Sequence, residues 1–154
     1  MEPSRSDYLK FDNVSFSWPN GDNVIEQFSF SIVKPGLWML VGENGSGKST
    51  LFRLITGAIR PKEGKIFCSF RPSMVYQNPD HQLLMPTCKS ELMLSVPKNI
   101  PYSKLFDLIQ SSLEKVDLGE MLDRPIHTLS GGQKQRLALA GAIVSNSNLL
   151  LLDE

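Results

Sequence analysis

A chain of 154 residues is long enough to bury one α/β core, and its 16 basic and 16 acidic residues cancel and lie scattered rather than striped, so bulk electrostatics give no reason to expect a nucleic-acid partner. No apolar run reaches the roughly 18 residues that a membrane-spanning helix needs, and the polar opening Met1-Glu2-Pro3-Ser4-Arg5-Ser6-Asp7 has no apolar signal core. Cys68 and Cys88 form no C-x-x-C pair and have no clustered histidines, which points to a reducing compartment with two thiols rather than a disulfide or zinc site.

Apolar residues first recur at near-alternating positions, Leu9, Phe11, Val14 and Phe16, then Phe28, Phe30 and Ile32, around the turn Pro19-Asn20-Gly21-Asp22. That pattern predicts an antiparallel β lead-in. After the turn Pro35-Gly36, the run Trp38-Met39-Leu40-Val41 predicts a strand that feeds Gly42-Glu43-Asn44-Gly45-Ser46-Gly47-Lys48-Ser49, and Leu51, Leu54 and Ile55 continue as a helix. A connection over 60–64, a short strand over 65–67 and a strand over 73–76 follow, the last delivering Gln77. From 78 to 129 the character turns to helix and loop: Leu105, Leu108, Ile109, Leu113 and Val116 keep a helical stripe, and Pro86, Pro97, Pro101 and Pro125 interrupt the segment. Ser130 then reads as the N-cap of a helix from Gln133 to Val144 that is rich in small residues, and Leu149-Leu150-Leu151-Leu152 reads as a buried strand ending in Asp153-Glu154.

The run G-x-x-x-x-G-K-S between a strand and a helix is a phosphate-binding loop. Glycines let successive N–H groups turn toward a polyphosphate, and the helix N-terminus adds partial positive charge. Lys48 would place a point charge on the outer phosphates, and Ser49 would offer its hydroxyl to Mg²⁺. Ser130-Gly131-Gly132 before a helix is by itself more often a turn and a cap than an anion site. Asp153 and Glu154, as successive residues at a strand end, point to opposite faces, so one can hold a metal-bound water while the other faces an attacking water.

Taken together, these runs resemble the ATP-binding cassette (ABC) ATPases over essentially the whole chain. In that resemblance residues 42–49 are Walker A, Gln77 is the Q-loop glutamine, Leu129-Ser130-Gly131-Gly132-Gln133 is the signature, and 149–153 is Walker B. The runs Gln77-Asn78-Pro79-Asp80-His81-Gln82-Leu83 and Gln135-Arg136-Leu137-Ala138-Leu139-Ala140-Gly141 look most like the ATPases of cobalt, nickel and vitamin importers of the energy-coupling-factor type. The implied fold is α/β, with a P-loop core and β lead-in over 1–77, a helical subdomain over 78–129, and a signature helix and Walker B strand over 130–154.

The resemblance also implies roles. ATP and Mg²⁺ would be the ligands: Gly42, Glu43, Asn44, Gly45, Ser46, Gly47, Lys48, Ser49 and Thr50 would hold the nucleotide, and Ser49, Gln77 and Asp153 would hold the metal. Glu154 would polarise the attacking water, with Lys48 and Gln77 completing the catalytic set. Trp18 sits where the family places the aromatic that stacks on adenine, usually a tyrosine; a tryptophan packed at a strand end is the alternative. Ser130, Gly131, Gly132 and Gln133 would contact the ATP of a second cassette, in a homo- or heterodimer.

The implied function is the ATPase subunit of a membrane importer for a metal ion or vitamin, at the cytoplasmic face and attached through transmembrane partner subunits. A lost targeting extension would instead give the stromal side of a plastid membrane. A soluble ABC ATPase of translation or DNA repair, and a nucleotide-dependent assembly module without turnover, are the alternatives. His81 and His127 both precede Walker B, so neither can be the family's switch histidine. An apolar central strand at the C-terminus is a poor end for a natural chain, and the sequence is therefore expected to be a fragment of an ATPase that continues past Glu154.

Overall fold

In the computed structural model, residues 8–19, 21 and 23–153 are described; Asn20 and Asp22 of the expected turn, and Glu154, lie outside them. The chain divides into two compact units with the boundary between Pro72 and Ser73.

The alternation in the first unit builds a three-stranded antiparallel sheet in the order β2-β1-β3, with β1 at Leu9–Ser17, β2 at Asn23–Ile32 and β3 at Glu63–Cys68. Leu9, Phe11, Val14 and Phe16 of β1 are buried, as the period-two pattern requires. The register slips between Phe11 and Val14 and again toward Phe16, where Asn13 and Gln27 take positive φ of 52° and 44°. Such bulges leave N–H groups off the ladder, and serine hydroxyls accept them: Asn13 donates to Ser29 Oγ at 2.9 Å and Gln27 to Ser15 Oγ at 3.0 Å. Helix α1, Lys48–Ile55, buries Thr50, Leu54 and Ile55.

The expected strand at Trp38-Met39-Leu40-Val41 does not form. These residues have no ladder partner, and Leu37 and Met39 are 98% and 85% exposed. An apolar segment becomes a strand only where a neighbour accepts its N–H and C=O groups, and none of the described residues does so.

In the second unit β4 (Pro72–Val75) pairs with β5 (Leu149–Leu152). Of the four leucines in β5 only Leu151 is buried, while Leu150 and Leu152 are 44% and 56% exposed. The fully buried central strand expected there is thus realised on one face, because β4 is its sole partner among the described residues. Three helices build the core: α2 at Cys88–Ser95, α3 at Tyr102–Glu114 and α4 at Gly131–Val144. Leu92, Ile109, Leu113, Leu118, Leu137 and Ala140 meet there with almost no exposed surface. Thr87 caps α2 through a reciprocal pair with Ser90: each backbone N–H donates to the other's hydroxyl, at 3.1 and 3.2 Å.

Cys88 lies in that core, and burial pushes its thiol up from the ordinary value, outweighing its own backbone hydrogen bond and the charge of Arg124. Cys68 is only half-buried. Because the thiolate is the reactive form, alkylation of the native protein near pH 8 is expected to label Cys68 first and Cys88 only after denaturant is added, as read by peptide mass. Equal labelling in the native state would contradict the packing described for α2.

Candidate nucleotide-binding site

The turn into α1 is set by backbone geometry. Gly45 and Gly47 have φ of 84° and 92°, in the left-handed region that side-chain-bearing residues avoid. At Gly47 space is limiting as well, since a Cβ would come within 3.1 Å of Val24 Cγ1 on β2; at Gly45 it would meet nothing within 4 Å. Ser46 N–H closes the turn on Glu43 O at 3.1 Å. Among the described residues the N–H groups of Asn44, Gly45 and Gly47 find no protein acceptor. The Lys48 ammonium folds over the same loop and donates to the carbonyls of Gly42 and Glu43, both at 2.9 Å. Amide donors without acceptors, a helix N-terminus and a cation held by main-chain oxygens make a cradle that fits a polyphosphate. Ser49 stands half-buried in the first turn of α1, and Thr50 beside it is buried.

Trp18 follows β1 with 38% of its surface exposed. Phe16 meets it edge-on, with centroids 5.1 Å apart and planes at 88°, and the Arg53 guanidinium of α1 lies over its ring at 6.0 Å. Trp18 is therefore both a packed aromatic and a partly open one. The sequence reading did not single out Arg53, since nothing local links it to a tryptophan 35 residues earlier in the chain.

In the second unit the ends of β4 and β5 lie together. Asp153 N–H donates to Val75 O at 3.0 Å, which places Asp153 beside the strand end that leads into Gln77. Gln77 is exposed and Asp153 half-buried. Gln82, another residue given no separate role from sequence, clamps this strand end with its carboxamide: Tyr76 N–H donates to its Oε1 at 3.2 Å, and its Nε2 donates to Met74 O at 3.1 Å. Its only signal was membership of the run that starts at Gln77. His81 and His127 are exposed, and among the described residues no group of histidine, cysteine, aspartate or glutamate could hold a metal ion by itself.

Ser130 caps α4 in a full capping box: its N–H donates to Gln133 Oε1 at 2.8 Å, and its hydroxyl accepts from Gln133 N–H at 3.3 Å. Gly131 and Gly132 are exposed, with nothing within 4 Å of where a Cβ would stand. No contact within the described residues requires glycine at these positions.

Residues 25–154 match the family described as ABC transporter. The chain belongs to that family. It is 39% identical to "ABC transporter I family member 10" of Arabidopsis thaliana, a match covering all of the chain and 62% of that protein. It is 33% identical to "Energy-coupling factor transporter ATP-binding protein EcfA1" of Mycoplasmoides gallisepticum, covering 98% of the chain and 59% of that protein. The structure of cbiO1 from Clostridium perfringens, described as part of the ABC transporter complex cbiONQ, superposes with a TM-score of 0.81 at 26% identity, over 97% of the chain and 66% of cbiO1. The mixed α/β ABC ATPase fold is thus the fold of this chain, which spans about three-fifths of the curated relatives it matches.

The surroundings of α4 predict opposite stability effects at neighbouring positions of this ABC domain. Ser130→Ala removes the cap and is expected to cost about 1 kcal/mol, whereas Gly132→Ala, with open space and a better helix former, is expected to gain roughly 0.5–1 kcal/mol. Urea denaturation of both variants checks this; destabilisation by Gly132→Ala would reveal a contact that the cap turn does not show.

Proposed function

We propose that the chain is the ATP-binding part of the ATPase subunit of a membrane importer for a metal ion or vitamin. The observation that carries the nucleotide reading is the glycine-turned loop with Lys48 bound across its carbonyls. Support for a transport role comes from relatives named as energy-coupling factor transporter ATP-binding proteins and from structural neighbours described as part of the ABC transporter complex cbiONQ and as a metal-chelate type ABC transporter. No helix of the described residues is long and apolar enough to cross a membrane. In this reading attachment at the cytoplasmic face runs through transmembrane partner subunits.

In this reading the Lys48 ammonium exchanges its two carbonyl acceptors for oxygens of the outer phosphates, where charge-assisted hydrogen bonds are stronger. The amides of the loop receive the remaining phosphate charge without reorganising, which is the condition under which fixed donors stabilise phosphoryl transfer. Mg²⁺, when bound, would neutralise phosphate charge; the residues that would hold it are Ser49, Gln77 and Asp153. Trp18, steadied by Phe16 and Arg53, would stack on the adenine through its open surface. Glu154 would orient the attacking water. Ser130, Gly131, Gly132 and Gln133 would present a capped helix N-terminus to the nucleotide of a second ABC ATPase subunit, and the open space at both glycines supports that use.

Lys48→Ala is expected to weaken Mg-ATP binding about tenfold to a hundredfold by calorimetry, the worth of charge-assisted hydrogen bonds. Unchanged affinity would sink the nucleotide reading. Gly132→Asp in the full-length protein is expected to leave ATP binding to one subunit nearly intact while abolishing phosphate release and the ATP-driven dimer. Survival of both would show that the cap of α4 faces no second nucleotide.

A further inference from the structure

We propose that Asp80 and Lys134 form a latch that makes the segment after Gln77 and the cap turn of α4 move as one piece. The proposal rests on the nucleotide reading for its purpose, but the latch itself rests on geometry. Asp80 lies in the 3₁₀ turn Pro79–His81, held there by its N–H donating to Asn78 Oδ1 at 3.0 Å. Its Oδ1 accepts from the Lys134 ammonium at 2.6 Å, across 54 positions of sequence. Lys134 follows Gln133 of the capping box, and its side chain is only 17% exposed against 61% for Asp80.

The electrostatics of α4 give this half-exposed pair a role beyond its own charge pairing. A lysine in the first turn of a helix sits at the positive end of the helix dipole, where a cation is disfavoured. No acidic residue occupies that first turn. Asp80 supplies the missing anion from outside the helix, so it answers both the ammonium and the helix end. Pro79 is buried, Leu83 packs on the helical core, and the Gln82 carboxamide ties the same segment to β4, so a displacement of Gln77 is carried to Lys134 rather than absorbed in a loose loop. Asp80 and Lys134 are thus positioning residues: neither is assigned to nucleotide contact, and they set how the glutamine segment and the Ser130–Gln133 cap respond to each other.

The asymmetry of the pair gives the test. Asp80→Asn leaves a mostly covered ammonium at a positive helix end, whereas Lys134→Met removes the charge that needed an answer. Amide hydrogen exchange of the full-length protein without nucleotide is expected to rise about threefold to fivefold for Asp80→Asn in both segments, 77–83 and 130–135, with α3 unchanged. Lys134→Met is expected to raise it less, and the double variant to match Lys134→Met rather than the sum. Exchange that rises only in the segment bearing the substitution, or effects that add, would overturn the latch. If Asp80→Asn fails to fold, Lys134→Met read in segment 77–83 decides by the same criterion. Mg-ATP is then added to wild type and to Lys48→Ala: a change at both segments in wild type alone is expected, and a change confined to 77–83 would overturn the proposal. No ATP effect in either protein, with the nucleotide-free pattern intact, would leave the latch standing, refute the nucleotide reading and remove the purpose assigned to the latch.

Discussion

Backbone handedness at the start of α1 is the constraint on which the site depends. Two glycines in left-handed conformation, Gly45 and Gly47, turn the chain so sharply that the N–H groups of Asn44, Gly45 and Gly47 find no acceptor among the described residues and the Lys48 ammonium reaches back over the carbonyls of Gly42 and Glu43. A Cβ at either position would strain that left-handed backbone, and at Gly47 it would also press on Val24. The sheet matters here because β2 supplies the wall against which that turn is made.

The second unit presents its groups by a different device. Polar side chains hold the ends of regular elements: Gln82 fastens β4, the Asp153 amide fastens β5 to β4, and Ser130 with Gln133 fastens the start of α4. Each is a local hydrogen-bond closure of backbone groups that a strand or helix end would otherwise leave unpaired. The carboxylate at 153 and the carboxamide at 77 are thereby set at neighbouring strand ends, while the helical core of Leu92, Ile109, Leu113 and Leu137 keeps α4 in place behind its cap.

Features encoded by neighbouring residues were legible in the sequence. The glycine turn into α1, the Ser130 cap and the stripe of α3 all depend on spacings within one or two turns, and the structure forms each of them. Features that depend on partners were not. Among the described residues, 38–41 have the composition of a strand but no ladder, and Leu149-Leu150-Leu151-Leu152 has the composition of a central strand but one neighbour, because pairing is a property of two segments and apolarity of only one. Arg53 over Trp18, and Lys134 on Asp80, join residues 35 and 54 positions apart, and no periodicity carries such information.

That main-chain donors of residues 42–49 hold a polyphosphate is the claim from which the functional reading follows. Backbone amide chemical shifts of the isotopically labelled protein, followed while Mg-ATP or Mg-AMP is titrated, test it most directly. Large shifts are expected at Asn44, Gly45, Gly47 and Lys48 with ATP and little change there with AMP, which lacks the outer phosphates. Equal shifts with both nucleotides, or shifts elsewhere with these amides unmoved, would contradict it.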